Sequence, residues 1–214
     1  ASPHYGTIKS SENYERRFIM TFPNETLPKG RKQKTTALYD RFIAKGAVMG
    51  DSFGLENALW FANNPKDAHE EPTFKRSRSH NYVAEEVRAV RTSVGATEIA
   101  NFAKHEFTGK GARNFLDYIL AGKIPKPGRI ILTPMLTLKG KLYGDLTVAC
   151  LNEEKFMIFG SGAAQEMHRR WFEKFLPKND VIYKNRSDDF HGIAISGPNS
   201  RKLLSKICRD DVSN

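Results

Sequence analysis

Residues 139–148, Lys-Gly-Lys-Leu-Tyr-Gly-Asp-Leu-Thr-Val, are the stretch of this sequence best suited to chemistry. Gly140 and Gly144 free the backbone on both sides of a short bend, and Asp145 then opens an apolar strand. A carboxylate at a strand entrance beside glycine can approach a ligand closely, accept a proton and offset positive charge developing there. Aspartate is equally at home in a turn, where its side chain bonds the local backbone, so residue type alone leaves both roles open. Other reactive side chains lack company. His168 sits in a helical stretch with Arg169, Arg170 and Trp171, finds no neighbour that would make it a general base, and is expected at the surface or half-buried. His105 and His191 read as structural. Gly160-Ser161-Gly162 lacks the Gly-x-Ser-x-Gly spacing of a nucleophile elbow, and no triad partners are placed. Asp188-Asp189 reads as a turn, because further oxygen ligands are missing nearby. Cys150 and Cys208 fall in no zinc-like spacing and are expected as free thiols in a reducing compartment.

Positioning such residues requires a scaffold, and the periodicity supplies one. Residues 1–74 are loop-rich, broken at Pro23, Pro28, Gly30, Pro65 and Pro72, with a helix over 36–45 and a short strand at Val48-Met49. From residue 75 the pattern is regular. Helices are predicted over 82–94, 112–120, 163–175 and 199–208, from apolar residues three and four apart and glycine stops. Strands are predicted over 103–108, 129–136, 145–151, 155–159, 181–184 and 191–196, with a hairpin turn at Asn152-Glu153-Glu154. Helices and hairpins alternate without a repeated strand-helix-strand rhythm, which predicts an α+β fold with mixed, mainly antiparallel sheets and packed helices. Trp60-Phe61 reads as an anchor packing the N-terminal region onto the body.

Composition excludes several classes. The chain has 214 residues, 39% hydrophobic and 27% charged, an ordinary globular balance. No apolar run approaches the roughly 20 residues of a membrane-spanning helix. The longest, 129–138, carries Pro134 and reads as buried strand. No secretory signal is visible and the first residue is not Met, so a processed or partial chain located in the cytoplasm, or in the mitochondrial matrix of a eukaryote, is expected. The 34 basic and 24 acidic residues give a net charge of +10. That suits nucleic acid, an anionic cofactor or an acidic protein surface. The densest basic groups, 29–34 and 75–78, are not interleaved with aromatics as in single-strand binders, and read as solvated surface.

Several spaced motifs, in order over nearly the whole chain, resemble one superfamily. Gly144-Asp145 with its apolar strand, Leu132-Thr133-Pro134-Met135-Leu136 before it, Phe156-Met157-Ile158-Phe159-Gly160-Ser161-Gly162-Ala163 after it, Glu98-Ile99-Ala100-Asn101-Phe102 and Ile193-Ala194-Ile195-Ser196-Gly197-Pro198 are similar to the folate-binding domain of the glycine-cleavage T-protein (aminomethyltransferase) superfamily. Arg17-Phe18, Phe22-Pro23-Asn24-Glu25, Leu38-Tyr39-Asp40-Arg41, Phe53-Gly54-Leu55-Glu56 and Leu59-Trp60-Phe61 narrow the resemblance to the flavin-dependent dimethylglycine and sarcosine dehydrogenases.

The resemblance implies a T-protein-like fold, with residues 1–74 as linker or central region and 75–214 as the N-terminal part of the folate-binding domain. It implies tetrahydrofolate as cofactor, Asp145 as catalytic carboxylate, and Phe102, Leu132, Phe159 and Ser161 as contacts to the pterin and aminobenzoyl groups. The activity implied is capture of a one-carbon unit, released by amine demethylation, as 5,10-methylenetetrahydrofolate. The implied partners are folate, a methylamine substrate and a flavin domain or chain carrying FAD. Departures are clear. Ser161 stands where T-proteins have Asn, and residues 98–102 stand where they have Asp-Val-Ser-His-Met. The superfamily's later Gly-Tyr-Thr-Gly-Glu segment and a glycine-rich dinucleotide fingerprint are missing from the sequence, so this chain is expected to hold part of a folate site. Rival readings are a stand-alone aminomethyltransferase, and a non-catalytic folate- or RNA-binding module or interaction subunit. Against RNA, the basic residues form no stripe and the cysteine motif of folate-binding tRNA-modification relatives is missing.

Overall fold

The structure, a computed structural model, describes residues 3–213. In chain order its elements are α1 (Pro3–Glu15), α2 (Tyr39–Ala44), β1 (Ala47–Ser52), β2 (Leu55–Phe61), α3 (Ser79–Thr92), β3 (Gly95–Glu98), β4 (Phe102–Thr108), α4 (Ala112–Ile119), β5 (Ile130–Leu136), β6 (Leu142–Asn152), β7 (Lys155–Ser161), α5 (Gln165–Phe175), β8 (Ile182–Asn185), β9 (Ile193–Ser196) and α6 (Ser200–Ile207). They form two compact units, Ala1–Ile99 with Gly192–Asn214, and Ala100–His191. All pairings between these strands are antiparallel, in keeping with the α+β reading.

The unit spanning Ala100–His191 is a five-stranded sheet in the order β5-β6-β7-β4-β8. Strands that pair as hairpins do so because their turns allow it. Asn152 closes β6 onto β7, its side chain accepting the Glu154 amide at 2.9 Å. Gly140 takes φ 71° in the β5–β6 turn, a conformation costly for residues with a Cβ. One sheet face is closed by α4 and α5. Phe107, Leu116, Met135, Leu146, Val148, Ile158 and Phe172 meet there with no exposed surface, each contributing roughly 1.5–3 kcal/mol of burial. Residues 129–138, expected as buried strand, instead form an edge strand. Ile130 and Leu132 are 66% and 69% exposed, and Pro134 is tolerated because an edge position needs no amide on its free side.

The other unit holds two small sheets, β1-β2 and β3-β9, with α1, α2, α3 and α6. Its two-residue β1–β2 turn places Phe53 and Gly54 at φ 52° and 89°, as a tight hairpin needs. Trp60 is buried, stacks on Tyr82 of α3 at 5.3 Å and donates its indole N–H to Glu70. Helix α1 lies in a region expected to be loop. It has no apolar stripe, and its buried side chain is a carboxylate: Glu12 takes the Lys9 ammonium at 2.8 Å and the Lys29 amide at 2.6 Å.

Candidate functional site

Sheet register decides which candidate side chains share a face. In antiparallel pairing, partners point the same way, as do residues two apart. Leu132 pairs with Thr147, Thr147 with Phe159, and Phe159 with Lys104. One row of side chains therefore crosses β5, β6, β7 and β4. Two residues along, Pro134 pairs with Asp145 and Ser161 with Phe102. Continuing the β6–β7 register sets Asp145 opposite Ser161. Asp145, Phe102, Leu132, Phe159 and Ser161 thus all fall in two adjacent rows on the sheet face opposite the helices. Asp145 and Ser161 are exposed, Phe159 is half-buried and Phe102 is 47% exposed. The arrangement is an open apolar face with a carboxylate and a hydroxyl at one end. The cavity of about 280 Å³ in this unit lies elsewhere, among Tyr118, Leu136, Leu138, Trp171 and Phe175.

The glycines around Asp145 act differently from the expectation. Gly140 is the turn, whereas Gly144 is buried inside β6, which begins at Leu142. A Cβ on Gly144 would stand 3.0 Å from His168 Nε2 and 3.2 Å from Met135 Cε. One on Gly160 would stand 2.8 Å from Leu146 Cδ2 and 3.0 Å from His168 Nδ1. Gly144 and Gly160 make room for the His168 ring. The strand is also bulged here: Met135 pairs with Gly144 and Leu136 with Leu142. Tyr143 is the extra residue, and its ring packs on Trp171 at 4.6 Å. A bulge of this kind re-aims the side chains that follow it.

His168, expected near the surface, is 2% exposed. Its Nε2 lies 3.2 Å from the Tyr143 carbonyl, so Nε2 carries the proton and ties α5 to the bulge two residues before Asp145. Its Nδ1 has no hydrogen-bond partner, nor has Nε2 of the fully buried His105, whose ring centroid lies 6.3 Å away. Nδ1 of His105 lies 2.8 Å from the Tyr183 hydroxyl. Burial pushes both histidines down, His105 to about 4, helped by the neighbouring His168. The sequence signal for this support was the pair of glycines, one on each of the neighbouring strands β6 and β7, that leave room for one ring.

The outward face carries two charges that sequence reasoning missed. Lys104 is buried and donates to the carbonyls of Phe102 and Ala100 at 2.7 and 3.2 Å. Glu106 is held by Arg186 at 3.2 Å and Lys155 at 3.3 Å. The strand predicted over 103–108 carried no mark that its outward Lys104 and Glu106 would be buried.

Residues 38–214 match the family model described as the GCVT N-terminal domain. The chain belongs to that family. Human mitochondrial dimethylglycine dehydrogenase is 32% identical over 214 residues, which cover 98% of this chain and 24% of that protein. An aminomethyltransferase of Thermosipho melanesiensis is 29% identical over 181 residues, 84% of this chain and 45% of that one. The chain thus spans about a quarter to a half of the length of these relatives. The crystal structure of the glycine cleavage system aminomethyltransferase T from Bartonella henselae superposes with a TM-score of 0.64 at 20% identity, covering 81% of this chain and 43% of that one. The family and the T-protein fold are therefore those that the Gly144-Asp145 and flanking motifs implied.

Proposed function

We propose that this chain carries part of the folate site of an amine-demethylating enzyme of the dimethylglycine/sarcosine dehydrogenase type. Its product would be 5,10-methylenetetrahydrofolate. The observation that supports this reading is the shared face of Asp145, Ser161, Phe159, Phe102 and Leu132. A flat aromatic ring system fits such a face, because Phe159, Phe102 and Leu132 offer apolar surface and the two polar groups sit together at one end. Bound tetrahydrofolate would supply the nitrogens that take up the one-carbon unit. Asp145 would orient the reacting nitrogen, accept its proton and offset positive charge on the incoming group. Ser161 would give one hydrogen bond where T-proteins use an amide. FAD and the methylamine pocket belong, in this reading, to regions of the complete enzyme beyond these residues, with residues 1–74 as the connecting segment. The compartment would be the mitochondrial matrix in a eukaryote, as for the mitochondrial human relative, and otherwise the cytoplasm. Among the described residues, no helix is long and apolar enough to cross a membrane.

In the complete enzyme, Asp145→Ala is expected to abolish transfer of the one-carbon unit to tetrahydrofolate while flavin reduction by the amine stays nearly unchanged. Stopped-flow flavin absorbance and assay of methylenetetrahydrofolate separate the two steps. Equal loss of both would remove Asp145 from the folate step.

A further inference from the structure

The unit formed by Ala1–Ile99 and Gly192–Asn214 holds a cavity that the folate reading does not use. Its volume is about 340 Å³, and α2, β2, α3 and β3 supply its lining. That is the lower end of the size range of small-molecule sites. Phe42, Leu59, Phe61 and Val90 make its walls apolar. The Phe42 and Phe61 rings meet edge to face, centroids 5.5 Å apart. Two carboxylates, Glu86 and Glu98, line the cavity, and none of its lining residues is lysine or arginine. Glu98 already has an interaction of its own, so Glu86 is the carboxylate that gives the cavity its charge, and local charges govern what a cleft attracts.

The fold sets Glu86 in place. It lies on α3 with Ala89 and Val90 on the same helix face, and its carboxylate accepts the backbone N–H of Phe61 at the end of β2. Although much of the residue is exposed, burial of the carboxylate pushes its pKa up, and no basic side chain offsets this. A cation arriving in the cavity would favour the ionised form. Hydrated metal ions want several oxygen ligands, which these walls do not provide. Organic cations with apolar substituents fit both the rings and the charge.

We propose that this cavity binds a small organic cation of the alkylammonium class, with Glu86 as its counter-ion and Phe42 and Phe61 as its ring wall. The site shares no residue with the sheet face that carries Asp145, so either reading can fail without the other.

The test is titration of the ¹⁵N-labelled chain with tetramethylammonium chloride, against sodium chloride at equal ionic strength. Saturable amide shifts at Phe61, Ala89 and Gly95 with the organic cation alone are expected. Glu86→Gln should weaken binding about tenfold or more, the size of a charge-assisted contact, with the rest of the spectrum unchanged. Shifts identical in the two salts, or undiminished affinity in Glu86→Gln, would overturn the proposal. If that variant does not fold, the Glu86 carboxyl resonance of the unsubstituted chain decides. Its pKa must fall when tetramethylammonium is added, and an unchanged pKa would also overturn the site.

Discussion

His105 and His168 show what a single side chain can cost when it is buried neutral. His105 is enclosed by Tyr183, Phe172 and His168, with Glu166 the nearest acidic influence. Both folded-state pKa values lie below the ordinary 6.5. The unfolded chain therefore binds protons first as pH drops, and stability falls with it. The contribution is intact above pH 6.5 and is lost between there and about 4, the folded value of His105. A shift of that size corresponds to about 3 kcal/mol. His105→Phe is expected to flatten the dependence of stability on pH between 7 and 4.5, measured by urea unfolding at several pH values. Parallel pH profiles for the two proteins would mean that His105 does not set this dependence. Sequence reasoning read the residue type correctly as structural at His105 but misplaced His168. The helix around it is rich in arginine, which hides an inward position when only one strand of the pattern is in view.

At the scale of elements, the fit of α5 to the sheet depends on two missing methyl groups. Gly160→Ala would set its Cβ 2.8 Å from Leu146 and 3.0 Å from the His168 ring, and Gly144→Ala is hardly looser. Both neighbours are fully or almost fully buried, so neither can swing aside. Each substitution is expected to cost about 1–3 kcal/mol by overpacking, read as a lower denaturation midpoint with an unchanged slope. Gly6→Ala is the control: it lies within α1 with nothing inside 4 Å of the added carbon, and should gain a few tenths to about 1 kcal/mol. Most helices and strands after residue 75 were legible because their apolar residues repeat at 3.6 or 2, but the four-residue β3, Gly95–Glu98, was not, because it is too short to show a repeat. Helix α1 was not, since its surroundings are ionic rather than apolar, and β2 was not, since Phe53-Gly54 is an uncommon turn sequence. The five proposed site residues were picked out from motif order, but their sharing of one face follows from pairings between residues up to 59 apart in sequence, the separation of Phe102 and Ser161. No local pattern carries such pairings.

For the whole molecule, the question is where a net charge of +10 is spent. The two basic runs read as solvated surface lie at the surface, and part of their charge is tied up in ion pairs. Lys29 meets Glu15 at 2.5 Å, and Arg31 forks onto the buried Glu56, which also accepts the Lys32 amide at 3.2 Å. Arg78 bridges Asp67 and Glu71, each at 2.7 Å. Side chains committed to carboxylates are poor phosphate ligands, so attraction to polyanions must come from the diffuse remainder. Diffuse binding through about four phosphate contacts weakens roughly a hundredfold between 50 and 200 mM salt. A ligand held by ring stacking and a few hydrogen bonds on the Phe159 face carries no such dependence. Calorimetric titration of the chain with tetrahydrofolate and with polyuridylate, each at both salt concentrations, separates the two. Folate binding that persists at 200 mM and is lost in Phe159→Ala, beside polyuridylate binding that vanishes, is the expected pattern. Polyuridylate binding that survives high salt, with no folate binding at either concentration, would make the RNA-binding module the better account of this fold.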